Sequence, residues 1–300
     1  MSRGLFCALL MSVLAGCFSG RPPGPQTGTD RQWYEQMRAG REAFAAADVD
    51  TAADAFAAAL ERARLRAAGS EIAPAAYNLA AVSLARGQLE RAAALLDEAD
   101  LDAAPDSALA VDIARMRARI TWLRGDATTA AAELDRLLGR KGLDAARRLM
   151  ILLQRGLVAC QAGEMGPARE ALAAWQNTPE QQSLPGRADA LALRGCVALA
   201  EHQPERAAEL WLEESDLRRQ AGQYRRMVAA LEQAADAFAR AGSRQQAARQ
   251  LYRAGLSLVS QGQTDSARVL LLRARVEATA AGDASLGQRI DKVLDGMKQP

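Results

Sequence analysis

Small, large apolar and polar residues follow one another along the chain in a pattern that repeats. The clearest copy runs from Tyr77 to Ala99 and reads YNLAAVSLARGQLERAAALLDEA. After the Gly-polar break at Gly87, Ala92, Leu96 and Ala99 recur at the spacing of one helix face. The pattern predicts pairs of helices, with the break as the turn between the two helices.

Further copies of this pattern occur at a nearly constant spacing. The six turn positions lie 38 to 40 positions apart, at Ala47, Gly87, Gly125, Gly163, His202 and Gly242. A last break, at Gly262, follows Gly242 at half this spacing, which predicts a half-repeat and then helices near 264–281 and 284–298 that cap the end. Glycine and proline breaks agree with about fourteen helices, and the alternation typical of strands is absent.

Residues on either side of the turns indicate how the helices pack. Small residues such as Gly40 and Gly195 precede the turns, and large ones such as Phe56 and Trp211 follow them. A helix hairpin closes only where Gly or Ala lets two backbones approach, and large apolar residues then fill the space that is left. We therefore expect closely packed helices, with Trp175 and Trp211 in the core.

The copy at Tyr77 resembles the tetratricopeptide repeat. Leu79-Ala80 take the Leu-Gly place, Ser83 the tyrosine place and Gly87 the turn. The family's usual period is 34 residues, so a period of 38 to 40 implies helices longer by about one turn. The resemblance implies an all-α solenoid of about six helix hairpins, with a C-terminal half-repeat and a capping helix, over residues 31–300.

The residues before the repeats have the features of a targeting segment. Arg3 precedes the apolar run 4–14, which has the length of a signal-peptide core and is too short to cross a bilayer. Leu14-Ala15-Gly16-Cys17 resembles the bacterial lipobox, which implies a signal peptide over residues 1–16 and a covalent lipid on Cys17. The alternative is a buried cysteine in an ordinary N-terminal helix.

The segment after Cys17 indicates where the protein is anchored. Residue 18 is Phe, and in the Gram-negative sorting rule it is aspartate at this place that retains a lipoprotein in the inner membrane. The resemblance therefore implies the periplasmic face of the outer membrane. Residues 17–30 are rich in Gly, Pro, Ser and Thr, which predicts a flexible tether between the lipid and the folded body.

The charge balance argues against a nucleic-acid partner. The chain has 38 basic and 36 acidic residues, and loss of Arg3 with the signal peptide leaves 37 basic residues. There is no run of five or more like charges, and no second apolar segment approaches the length that a membrane-spanning helix needs. We expect a nearly neutral body that touches the membrane through its lipid.

Few residues in the chain can carry catalysis. The single histidine, His202, lies in a His-Gln-Pro turn, and no metal-binding, phosphate-binding or nucleophile motif is present. Neighbouring carboxylates such as Glu213 and Glu214 are expected on solvated helix faces. The sequence predicts neither an enzyme, nor a metal site, nor a cofactor apart from the lipid.

Two cysteines remain after Cys7 leaves with the signal peptide and Cys17 takes lipid. Cys160 and Cys196 lie in the first helices of adjacent repeats, and a disulfide between them is possible in an oxidising compartment. The alternative is that each packs as a small apolar residue.

Alignment to the tetratricopeptide family also implies a concave groove for a partner. Arginine and aromatic side chains are enriched at interfaces, which makes this set a candidate binding site. The alternative is packing for the aromatic residues and a solvated face for the arginines. The groove is predicted to be lined by Arg41, Phe44, Tyr77, Arg115, Arg119, Trp122 and Leu157.

Three functions remain open from the sequence. The leading hypothesis is a scaffold or adaptor that binds a protein or peptide of the cell envelope. The second is a small-ligand-binding accessory of a solute-uptake system; a closed cavity at Trp122, Leu153 and Leu157 favours it, whereas an open groove favours a polypeptide. An enzyme is the third. The sequence does not indicate the oligomeric state.

Overall fold

A computed structural model describes residues 30–46, 48–176 and 184–297, apart from the side chains of Gln161 and Pro185. These residues form fourteen α-helices and no strand, which confirms the all-α prediction for the described part of the chain. None of the described helices is both long and apolar enough to span a membrane.

The helices divide into two compact units, each a series of antiparallel helices that pack against their neighbours in sequence. The first unit contains α1 (Arg31–Ala45), α2 (Val49–Leu65), α3 (Gly69–Ala85), α4 (Leu89–Asp102), α5 (Ala108–Leu123), α6 (Ala127–Leu138) and α7 (Ala145–Ala162). The second contains α8 (Met165–Trp175), α9 (Leu184–Ala200), α10 (Pro204–Gln220), α11 (Tyr224–Arg240), α12 (Arg244–Ser260), α13 (Thr264–Ala280) and α14 (Ala284–Gly296).

Left-handed turn residues set the spacing of the helices in the second unit. They recur every 20 positions, with φ between 61° and 80°, at His202, Gly222, Gly242, Gly262 and Gly282. Glycine adopts this conformation without a steric penalty. Because Gly282 follows Gly242 by one full period, α13 and α14, both predicted only to cap the end, form a hairpin in the same register as those before it. The turn predicted at Ala47 lies outside the described residues.

Pairs of one small and one large residue, 16 positions apart, close the hairpins as predicted. A Cβ atom at Gly40 would lie 2.6 Å from the ring of Phe56 in the first hairpin. One at Gly255 of α12 would lie 2.7 Å from Leu271 of α13, so the same kind of pair also packs two successive hairpins against each other. Elsewhere alanine takes the small position, as in the fully buried pair of Ala118 and Leu134. The small residues are therefore required by the close approach of the two helices.

The N-terminal end of the described body is fixed by charges. Asp30 caps α1 by accepting from the backbone N–H of Trp33 at 2.8 Å. Its carboxylate also accepts two hydrogen bonds from Arg62 of α2, at 2.6 and 2.8 Å, which hold its pKa well below the usual range. The N–H of Asp30 donates to Glu71 of α3. Asp30, the last residue of the predicted tether, is thus attached to three helices.

Candidate partner-binding surfaces

Most of the predicted groove residues are buried inside the first unit. Tyr77, Arg115, Arg119, Trp122 and Leu157 are each at most 4% exposed. The prediction that these five side chains line an open groove is therefore wrong.

The close approach of the first helices of successive hairpins explains this burial. The Ala-rich α3 is buried from Ala75 through Ala85, and the side chain of Gln154 in α7 donates to the backbone oxygen of Arg115 in α5 at 3.2 Å. Arg41 and Phe44, in α1, are partly buried. Tyr77 and Trp122 instead fit the alternative given for the aromatic residues, which is packing in the core.

The tryptophans of the second unit lie in the core, as predicted. The indole N–H of Trp175 donates to the backbone oxygen of Gly186 at 3.1 Å, and that of Trp211 donates to Ala192 at 3.3 Å. Both rings are nearly inaccessible. Each tryptophan thus satisfies its one polar group while it fills the space between helices.

Cys160 and Cys196 are buried thiols, and the structure contains no disulfide between them. Cys160 belongs to the first unit and Cys196 to the second. This state agrees with the alternative in which each cysteine packs as a small apolar residue. Cys17 and the leader lie outside the described residues, as does most of the tether.

A buried ion cluster, which the sequence does not predict, joins three helices of the second unit. Arg218 of α10 is fully buried and pairs with Glu214 of the same helix, at 3.1 Å, and with Asp189 of α9. Arg226 of α11 lies 3.6 Å from Asp189. The expectation that Glu214 lies on a solvated face is wrong, since it is only 3% exposed. The cluster holds two positive and two negative side chains.

Burial raises the pKa of Glu214 to about 7, against the opposing attraction of Arg218. The charge of Asp189 acts in the same direction as burial, and that of Arg226 acts against it. The second oxygen of Glu214, Oε2, accepts no hydrogen bond from the described residues. The folded state therefore binds a proton at Glu214 more tightly than the unfolded chain, in which the pKa is near 4.5.

We expect Glu214→Gln to remove a pH dependence from the stability of the protein. Because the pKa of Glu214 is higher in the folded state, its contribution is most favourable below about pH 4.5 and is lost as the pH rises through about 7. Urea unfolding of both proteins from about pH 5 to 8 should show the wild type losing on the order of 2 kcal/mol relative to Glu214→Gln. Glu213→Gln, at the exposed neighbouring position, should keep the wild-type slope. If the stability of wild type and of Glu214→Gln changed with pH in parallel, the raised pKa of Glu214 in the folded state would be contradicted.

A cleft of about 140 Å³ opens between α11, α12 and α13. Pockets for drug-sized ligands have volumes of roughly 300 Å³ or more, so this cleft matches a single side chain of a partner better than a whole small molecule. Its lining residues are Ala235, Asp236, Ala239, Leu251, Arg273, Val276 and Glu277.

The charged residues beside the cleft are coupled to one another. Arg273 of α13 donates to Glu232 and to Asp236, both of α11. Burial is the main cause that raises the pKa of Glu232 and Asp236, and the charge of Glu277 raises the pKa of Asp236 further. One guanidinium thus balances two carboxylates and fixes α13 against α11.

Apolar side chains of α13 are exposed next to this cleft. Val269 is 57% exposed, Leu272 51% and Val276 65%. They lie three and four positions apart, which places them on one helix face, opposite the buried face that includes Ala267 and Ala274. This exposed stripe is present in the sequence, but its three residues are not among the repeat positions that predict how the helices pack.

Comparison with solved structures finds helical repeat proteins. A tetratricopeptide repeat protein from Parabacteroides merdae is 15% identical, with 90% of this chain and 100% of that chain covered and a TM-score of 0.43. Yeast Tom70 is 12% identical over 97% and 69% of the two chains, with a TM-score of 0.45. The TPR2AB domain of yeast Sti1, in a complex with pHSP90, is 16% identical over 89% and 98%, with a TM-score of 0.33.

These similarities are too low to support an argument about function, since all three TM-scores are below 0.5. No family model and no curated protein matches the sequence. Within the described ranges, no group of three or more His, Cys, Asp or Glu side chains is arranged to hold a metal ion. The surfaces of the second unit therefore have to be interpreted from their own chemistry.

Proposed function

We propose that this protein is a lipoprotein, anchored through Cys17 to the periplasmic face of the outer membrane, that acts as a scaffold by binding a polypeptide of the cell envelope. The observation that carries the binding role is the exposed stripe of Val269, Leu272 and Val276 on α13. Large exposed apolar side chains that share one face are typical of interaction surfaces. The adjacent cleft, with room for one side chain, supports a polypeptide partner.

The anchor is supported by the lipobox-like Leu14-Ala15-Gly16-Cys17 and by the polar segment after it. Lipid chains that enter the bilayer contribute about 0.8 kcal/mol per methylene group, and two or more chains hold a protein stably. The attachment of Asp30 to Arg62 and Glu71 fits this role, because it joins the end of the tether to α2 and α3.

Crosslinking in intact envelopes tests the proposed function. Wild-type protein should crosslink to one envelope protein, and Val269→Ser/Leu272→Ser/Val276→Ser should lose that product. Leu65→Ser/Leu101→Ser is the matched control, because these leucines are 81% and 86% exposed in the first unit. Cys17→Ser should release the protein from the membrane fraction. A crosslinked product that survives the α13 changes, or membrane attachment that survives Cys17→Ser, would contradict the corresponding half of the proposal.

A further inference from the structure

Residues 40 positions apart occupy equivalent places on the first helices of successive hairpins in the second unit, because the turns recur every 20 positions. On α11, Glu232 and Asp236 face the next first helix, since both accept hydrogen bonds from Arg273 of α13. Their equivalents on α13 are Leu272 and Val276. This equivalence places Leu272 on the side of α13 where a further helix in the same register would lie, and Val276 between that side and the cleft, which Val276 also lines.

The equivalent positions on α9, α11 and α13 differ in how exposed their side chains are. On α9 the equivalent residues, Ala192 and Cys196, are buried, and Glu232 and Asp236 of α11 are partly buried. Only on α13 are both residues exposed and large apolar, at Leu272 and Val276. No helix in the described part of the chain covers them.

The second helices extend this surface by the same register. Gln245 of α12 donates to Asp283 at the start of α14, at 3.1 Å, and the charge of Arg249 also acts on Asp283. The equivalents of Gln245 and Arg249 on α14 are Ser285 and Arg289, and both are exposed. We name the surface formed by Arg268, Leu272, Val276, Ser285 and Arg289 the end face.

The end face carries a surplus of positive charge. Arg268 and Arg289 are exposed and form no ion pair with the described residues, whereas the nearby Arg275 is neutralised by Asp291 at 2.8 Å. The one exposed acid on this side of α13 is Asp265, in the first helical turn, where the helix dipole already stabilises its charge. A partner with carboxylates beside an apolar stripe would complement this surface.

We propose that the end face binds an amphipathic α-helix of a partner polypeptide, which places apolar side chains on Leu272 and Val276 and carboxylates beside Arg268 and Arg289. This proposal rests on the proposed scaffold function and names the chemistry of its partner. Helices that dock in this way present anchors at positions i, i+3 or i+4, and i+7. A second copy of the chain is a poorer occupant, because two end faces that meet would bring their arginines together.

Two labelled helical peptides, each about five turns long, test the proposal by fluorescence anisotropy with the purified protein. The peptides share one leucine stripe and differ only in whether glutamate or lysine flanks it. We expect the glutamate peptide to bind at least tenfold more tightly than the lysine peptide. Leu272→Ser/Val276→Ser should weaken its binding at least tenfold, and Leu65→Ser/Leu101→Ser should leave it unchanged. Arg268→Glu/Arg289→Glu should reverse the preference between the two peptides.

Equal binding of the two peptides by the wild-type protein would overturn the proposal. So would a loss of glutamate-peptide binding in Leu65→Ser/Leu101→Ser as large as that in Leu272→Ser/Val276→Ser. Concentration-dependent self-association in sedimentation, abolished by Leu272→Ser/Val276→Ser, would overturn it in favour of a second copy. Neither of these results decides the envelope crosslinking test. A partner that binds through the apolar residues of α13 could still be crosslinked if the peptides showed no preference for one charge. A wild-type protein that gives no crosslinked product, or a product that survives the α13 changes, together with an intact peptide preference, would instead contradict the proposed function alone.

Discussion

Arg218→Met is expected to reduce the free energy of unfolding by about 3–5 kcal/mol at pH 8, the cost of breaking a buried ion pair from one side. Arg218 is fully buried and holds both Glu214 and Asp189, so its removal leaves two buried carboxylates with Arg226 as the remaining nearby cation. Methionine has a similar length and adds no polar group, which separates the charge effect from a packing defect. Urea or thermal unfolding of the purified protein measures the loss.

A matched control for this change lies at the next residue. Arg219 pairs with Asp216 at 3.2 Å on the surface, and each side chain is more than half exposed. Surface ion pairs contribute about 0–1 kcal/mol, so Arg219→Met should have little effect. Arg218 lowers the pKa of Glu214, so its removal should raise that pKa above the wild-type value of about 7. The loss in Arg218→Met should therefore become smaller as the pH falls from 8 toward about 7, because Glu214 takes up its proton at a higher pH in the variant than in the wild type. Similar small losses in both variants would show that the cluster does not stabilise the fold.

The repeat and its turns could be predicted from the sequence because they depend on local chemistry. Glycine recurs where the backbone is left-handed, as at Gly242 and Gly282, and this requirement does not depend on the rest of the fold. The small and large residues of each hairpin are likewise only 16 positions apart. Their contact is set by the geometry of two helices and one turn.

The candidate sites depend on longer-range packing and could not be predicted in the same way. Alignment to the family indicates which face of a helix Arg115 and Arg119 occupy, but not how closely α3, α5 and α7 approach. Because α3 is rich in alanine, that approach is close enough to bury both arginines. The sequence does contain one indication of the ion cluster. Glu214 occupies the place that Ala59 and Ala254 take in other repeats, both fully buried.

Gly195→Val is expected to lower the free energy of unfolding by about 3 kcal/mol, at the upper end of the usual cost of overpacking a core. A Cβ atom at Gly195 would lie 2.6 Å from Nε1 of Trp211, which is far too close for two atoms that are not bonded. The indole cannot move away freely, since it is buried and donates to Ala192. Valine is a better helix former than glycine, but only by a fraction of a kcal/mol. The clash with Trp211 is larger, so the net effect of Gly195→Val should be a loss of stability.

The cause of this loss can be separated from a general intolerance of substitution in helices. Gly296→Val in the last turn of α14 is the control, because a Cβ atom there would meet nothing within 4 Å, and it should be close to neutral. In a Trp211→Leu background, Gly195→Val should cost less by at least about 1 kcal/mol, since the smaller leucine leaves room, as it does beside Ala118 at Leu134. Additive losses in this double-mutant cycle would mean that the two residues do not share one packing contact. Coupled losses would establish that the choice of residue on the first helix of the hairpin sets the size that is allowed at the facing position of the second.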